Sequence, residues 1–221
     1  MKKWFLALGL LTLAGTASAK MITDVAGRQV EVPQEAKRII LGEGRQIYLL
    51  AAFDTDAPFT RVIGWRDDLH KADWDGYQAY EKRYPEIKKL PTFGGAKDGT
   101  FNVEQALTLK PDLVLMNLES KAATDEGKLI EKLQAVGVPV VLIDFREAPM
   151  VNAEKSIRIM GELVNKPERA QEIITFRQQQ IDLVTSRLKN FTGYRPKVMI
   201  DRAGGYSDEC CMSFGNENFG Q

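Results

Sequence analysis

Four arginines stand where buried apolar runs end, and aromatic side chains accompany them. Arg45 follows KRIIL (37–41), Arg66 follows RVIGW (61–65), Arg146 follows PVVLIDF (139–145) and Arg202 follows PKVMID (196–201). Trp65, Phe93, Phe145 and Tyr206 lie beside them or in neighbouring loops. Arginine presents a planar, permanently charged fork that suits carboxylates and other anionic oxygens, and it stacks on flat rings. In an open parallel sheet, ligands bind beyond the carboxyl ends of the strands. A rim of guanidinium groups and ring faces there fits a bulky, anionic, partly aromatic small molecule. The competing reading pairs the same arginines with nearby carboxylates such as Glu43, Asp67 and Glu147.

Other chemistries find less support. LGEGRQI (41–47) begins like G-x-G-x-x-G, but Ile47 replaces the third glycine and a glutamate in the turn would repel a pyrophosphate. Gly44 there reads as a residue that lets the backbone turn between strand and helix. A directly bound metal ion needs clustered His, Cys or carboxylate ligands. The single histidine, His70, sits in the charged run DDLHKADWD and reads as a solvated loop residue, with heme ligation as the alternative. No intrinsic cofactor or metal site is expected. No base and nucleophile can be paired, so the chain reads as a binder rather than an enzyme. The alternative is a periplasmic thiol enzyme using Cys210 or Cys211, the only two cysteines. A bridge between neighbours is strained, which leaves a strained ring, two buried thiols or an intermolecular bond.

The elements that must position these residues follow a regular order. MITDVAGRQVEVP holds two short alternating runs around Ala26-Gly27 and predicts a hairpin. KRIIL leads through GEGR into a helix over QIYLLAAF, and RVIGW is the next strand. Asn102 caps a helix over VEQALTLK, with Gln105 as its capping-box partner, and the helix ends before Pro111. DLVLMN (112–117) reads as a buried strand, GKLIEKLQAVG as a helix closed by Gly137, and PVVLIDF as another buried strand. Alternating β-branched strands and helices predict an α/β fold with a parallel sheet. From Ala153 to Lys189 the pattern is helical, broken at Asn165-Lys166-Pro167, with Pro167 placed to start a second helix. Ala170, Ile173, Ile174, Arg177, Ile181, Val184 and Leu188 recur at helical spacing in it. Gly193 ends that pattern and PKVMID reads as a new buried strand.

Lys2 and Lys3, the apolar run WFLALGLLTLAG and the small residues Ala17-Ser18-Ala19 predict a secretory signal peptide cleaved after Ala19. The run is short of the roughly 20 residues that span a bilayer. No cysteine follows the small residues, so no lipid anchor is expected, and the protein reads as exported to a periplasm. Thirty basic and thirty acidic residues cancel, which argues against nucleic acid as a partner. The boundaries read as 1–19 signal peptide, 20–150 an α/β lobe, 151–192 a linking helical segment, and 193–221 the start of a second lobe.

TDVAGRQVEVPQEAKRII, NVEQALTLKPDLVLMN, PVVLID, the long helix and PKVMID together resemble the periplasmic binding proteins of ABC importers for ferric siderophores, heme and cobalamin. The resemblance runs from about residue 22 to the end. It implies two Rossmann-like lobes joined by a rigid helix, with the ligand between them, in a monomer that delivers its cargo to an inner-membrane permease. Glu104 falls where that family places a surface glutamate that docks onto the permease. The GEGR loop with Arg45, Trp65-Arg66, Phe93-Gly94-Gly95, Asn117 and Phe145-Arg146 fall in first-lobe ligand loops. Arg202 to Met212 falls in the first ligand loop of the second lobe, with Tyr206 in it. In such proteins the chelator holds the iron, so an iron chelate is the expected ligand, with heme or cobalamin as alternatives. The second lobe is expected to continue for about 100 further residues. On that expectation the chain is C-terminally truncated, and the strand near Met199 is left unpaired.

Overall fold

The computed structural model describes residues 19–201 together with Ser213 and Phe214. The predicted signal segment before Ala19, the ligand residues Arg202 and Tyr206, and Cys210 and Cys211 lie outside the described residues.

The first element is the predicted hairpin, β1 (Ala19–Thr23) antiparallel to β2 (Gln29–Pro33). Asp24 builds its turn. The buried carboxylate accepts from the backbone N–H of Ala26 and Arg28 and from the Arg28 guanidinium, while Gly27 takes a φ of +79°. A left-handed residue there costs glycine nothing. The same carboxylate accepts from the N–H of Leu142, and Arg28 donates to the Val140 carbonyl. The hairpin turn is thereby fastened to an outer strand of the main sheet.

That sheet alternates with helices in chain order. β3 (Ile39–Leu41) leads through a 3₁₀ turn to α1 (Ile47–Phe53), and β4 (Val62–Arg66) to α2 (Asp68–Ala72) and α3 (Trp74–Arg83). β5 (Thr92–Phe93), α4 (Val103–Thr108), β6 (Leu113–Asn117), α5 (Lys121–Glu126), α6 (Leu129–Ala135) and β7 (Val140–Ile143) follow. All pairings among β3 to β7 are parallel, in the order β5-β4-β3-β6-β7. Alternate side chains supply two cores. Ile39, Leu41, Leu113, Leu115, Val141 and Ile143 point to one face, and Ile40, Val114, Met116, Val140 and Leu142 to the other. A sheet covered on both faces needs such uninterrupted apolar strands.

Two long helices complete the described residues: α7 (Pro149–Leu163) and α8 (Pro167–Leu188). The predicted break is a Schellman turn, with Asn165 at φ +56°, Asn165 N–H donating to Glu162 O, and Lys166 N–H to Gly161 O. The helices cross closely where a Cβ on Gly161 would stand 2.5 Å from that of Ala170. α8 has 22 residues and is about 33 Å long at 1.5 Å per residue. Its first half buries Ala170 and Ile174, whereas Leu183, Val184 and Leu188 are exposed. No helix among the described residues is long and apolar enough to cross a membrane.

Two expectations are corrected. Asn102 caps α4 by accepting from Gln105 N–H, but the Gln105 amide donates to the Thr92 carbonyl instead of closing a capping box. PKVMID is not a buried strand: Val198, Met199 and Ile200 are exposed and outside any strand, and Asp201 forms an isolated bridge with Ser213. Its β-branched composition suits a strand, but a strand forms only against a neighbour.

Candidate functional site

Strand order reverses between β3 and β6, because β4 and β5 lie to one side of β3 while β6 and β7 lie to the other. The loops leaving β3, β6 and β7 diverge there and open a cleft of about 880 Å³. Crevices of this kind form at the reversal point of open α/β sheets.

The loop after β3 is drawn tightly against the sheet. A Cβ on Gly42 would lie 2.8 Å from the Leu115 carbonyl, and one on Gly44 would lie 2.5 Å from the Arg66 carbonyl. Gly44 is therefore needed for close approach rather than for a left-handed turn. Its N–H donates to Asp68 at 2.5 Å. Between the two glycines Glu43 turns inward, with its side chain only 6% exposed. One carboxylate oxygen accepts from Arg45 at 2.8 Å and from Arg146, and the other accepts from the Asn117 amide. Arg45 also reaches Asp68 at 3.0 Å, and Arg146 reaches Glu119 at 3.0 Å. An alternating chain, Asp68–Arg45–Glu43–Arg146–Glu119, thus forms, and all of its members except Asp68 line the cleft.

The loop after β7 is organised by Asp144, which is 1% exposed. One oxygen accepts from the N–H groups of Arg146 and Glu147, the other from Ala148 N–H and the Asn152 amide, all within 2.8–3.0 Å. Burial raises its pKa, but Asn152 and the three backbone donors outweigh burial and hold the carboxyl below its ordinary value. Burial also draws the Arg146 guanidinium below its ordinary value. Tyr48 lines the cleft from α1 and donates its hydroxyl to Asp73. Burial first, and then that bond, push its pKa well up, so the phenol stays neutral. Leu49, Ile143, Phe145 and Phe214 add apolar surface.

The predicted site residues divide. Arg45, Asn117, Phe145 and Arg146 line the cleft. Trp65 and Phe93 do not: Trp65 packs edge-on against Phe59 in one core, and Phe93 stacks on Phe101 in the other. Arg66 pairs with Asp98 at 3.3 Å and lies under Gly95, where a Cβ would come 2.7 Å from the guanidinium carbon. It anchors the loop that carries Lys97 to the cleft. Asp98 in that loop is held below its ordinary pKa, chiefly by the Thr100 hydroxyl. His70 is exposed and edge-on to Trp74 and Tyr77, apart from the residues lining the cleft. Among the described residues no group of three or more His, Cys, Asp or Glu could hold a metal ion. Glu104 is exposed in the first turn of α4, which runs back between β5 and β6 and so begins at the cleft end of the sheet.

Glu43 as the hub, and Tyr48, Lys97 and Glu119 as wall residues, are not legible as such in the sequence. The one available signal is the glutamate between two glycines at a strand end. The arginine pairing, however, follows the competing reading: each of Arg45, Arg66 and Arg146 has a carboxylate partner.

The sequence pattern of the family described as "Periplasmic binding protein" matches residues 48–208, well over half the chain. Among solved structures, the TroA-like periplasmic binding protein FepB from Veillonella parvula is 28% identical, with a TM-score of 0.74 over 83% of this chain and 53% of that one. The molybdate periplasmic binding protein MolA from Haemophilus influenzae is 20% identical, with a TM-score of 0.60 over 79% and 55% of the two chains. An uncharacterized ABC transporter substrate-binding lipoprotein, YvrC of Bacillus subtilis (strain 168), is 22% identical over 171 residues, 77% of this chain and 48% of that protein. The chain spans about half the length of these relatives.

Proposed function

Since the chain belongs to the periplasmic binding protein family, we propose that it captures a ferric siderophore in the periplasm and hands it to an inner-membrane ABC permease. The observation that carries this reading is the cleft at the strand-order reversal, about 880 Å³ in volume. A bare oxyanion fills only a small part of such a space, whereas an organic chelate of drug size or larger needs it. The wall supports the same class: ring and aliphatic surface from Tyr48, Leu49, Phe145 and Phe214 alternates with fixed hydrogen-bonding groups. Because the ligand brings its own chelating oxygens, the protein needs no metal-ligand cluster of its own. Export with cleavage after Ala19, a monomeric state, and docking through Glu104 belong to the same proposal, as does a lobe over 20–150 followed by linking helices.

Equilibrium binding of the full-length protein to ferric hydroxamates, ferric catecholates, heme, cobalamin and molybdate tests the proposal. Saturable, one-to-one binding of a ferric siderophore is the expected result. Saturation by molybdate, heme or cobalamin with no ferric siderophore bound would overturn it.

A further inference from the structure

We infer that Lys97 is the residue with which the cleft reads ligand charge, and that the chelate it takes carries anionic oxygens on its outer surface. The inference rests on the siderophore reading and narrows it.

The charged residues lining the cleft balance: Glu43, Glu119 and Glu147 against Arg45, Arg146 and Lys97. Their count favours neither sign, and what differs is availability. Arg45 is held by Glu43 and Asp68, and Arg146 by Glu43 and Glu119. Glu147 is engaged as well. Lys97 is the exception: it is exposed and meets no hydrogen-bond or ion-pair partner among the described residues. Drawing either arginine onto a ligand would take it from the nearly buried Glu43, which opposes binding. An ammonium without such a bond gives up only water.

The loop holds Lys97 at its tip. Residues 96–99 form a turn closed by Gly99 N–H donating to the Ala96 carbonyl, with Gly99 at φ +68°. Lys97 and Asp98 are the two central residues of that turn, and they are used differently. Asp98 folds back, accepting from the Thr100 hydroxyl at 2.8 Å and from Arg66 at 3.3 Å. The Thr100 hydroxyl accepts in turn from Gly95 N–H at 3.0 Å, and Thr100 N–H donates to the Gly95 carbonyl at 3.0 Å. Neither glycine at the base of the loop has room for a side chain: a Cβ on Gly94 would strike Thr100, and one on Gly95 the Arg66 guanidinium. The turn is thus fixed through Asp98, and Lys97 is left to line the cleft on a flexible four-carbon stem. A compact charge on such a stem can follow oxygens spread over the outer face of a chelate.

The test titrates the full-length protein with two ferric chelates of similar size, a triply negative tris-catecholate and a neutral tris-hydroxamate, at low and high salt. The wild type is expected to bind the tris-catecholate. Lys97→Gln should lower that affinity about fivefold at low salt, the upper end of what one exposed ion pair contributes, and the affinity for the tris-hydroxamate by less than about twofold. Lys97→Arg keeps the charge and should retain most of the wild-type ratio. The effect of Lys97→Gln should fade in about 1 M salt, where charges are screened beyond about 3 Å. Reading the ratio of the two affinities separates charge from any general loosening of the cleft. A wild type that binds the hydroxamate but not the catecholate overturns the inference and leaves the siderophore reading standing. So does a ratio that Lys97→Gln leaves unmoved, or moves equally at high salt. Binding of neither chelate to the wild type overturns both.

Discussion

Asp144→Asn should cost about 3 kcal/mol of folding stability and slacken the loop that carries Phe145, Arg146 and Glu147. The wild-type carboxylate receives four donors, two on each oxygen. An asparagine keeps one acceptor oxygen and turns an NH₂ toward the other two donors. Each lost bond to an ionised acceptor is worth about 1.5–3 kcal/mol, less what the loop recovers from water by opening. In a chain of this size the loss corresponds to a fall of about 6–12 °C in melting temperature. The pH dependence has a definite sense. The folded pKa of Asp144 lies below its ordinary value, so the carboxylate stabilises the fold above about pH 4 and loses that contribution as pH falls through the folded value. Wild-type and variant stabilities should therefore differ by a constant amount from neutral pH to about pH 4 and converge in stronger acid. Urea unfolding at a series of pH values measures this. A difference under about 1 kcal/mol at pH 7, or one that persists unchanged well below pH 3, would refute the assignment of Asp144 as the ionised organiser of the loop.

Gly44→Ala forces the β3 loop off the Arg66 carbonyl, and should weaken ligand binding by about tenfold while destabilising the fold by about 1–3 kcal/mol; titration and thermal melting read the two effects. Arg28→Ala leaves the Asp24 carboxylate buried without its guanidinium, so a loss of about 3–5 kcal/mol in chemical denaturation is expected. Glu104→Arg should leave ligand affinity unchanged and slow permease-coupled uptake by about tenfold, as reversing an exposed docking charge does; uptake at the wild-type rate would remove Glu104 from the docking surface.

What the sequence reveals of this molecule is what depends on neighbours in the chain. The runs DLVLMN and PVVLIDF become β6 and β7 because a doubly covered strand must be apolar throughout, and that is visible without knowing the partner. Asn165-Lys166-Pro167 is legible for the same reason: a left-handed asparagine and a proline at a first helical position act locally. The motif residues Asp24, Gly27 and Arg28 also explain themselves once folded, as a turn fastened to β7. Glu43 is hidden because nothing local buries it. Its partners Asn117 and Arg146 stand 74 and 103 residues further along. Trp65 and Phe93 show another limit. Lying at a strand's carboxyl end places a residue near the cleft, but side chains alternate across a sheet, and these two point into the cores. PKVMID failed on partnership, since the same pattern that makes β6 a strand makes nothing when no strand lies beside it among the described residues.

The fastening of the hairpin turn to β7 also bears on whether copies of the protein could pair through the main sheet. An open sheet invites a second molecule to add a strand at its margins. One margin is occupied by residues 24–28, through Asp24, Val25 and Arg28. The other is β5, only two residues long, too short to template a stable pairing. Backbone pairing between copies through the main sheet is thereby disfavoured at both margins.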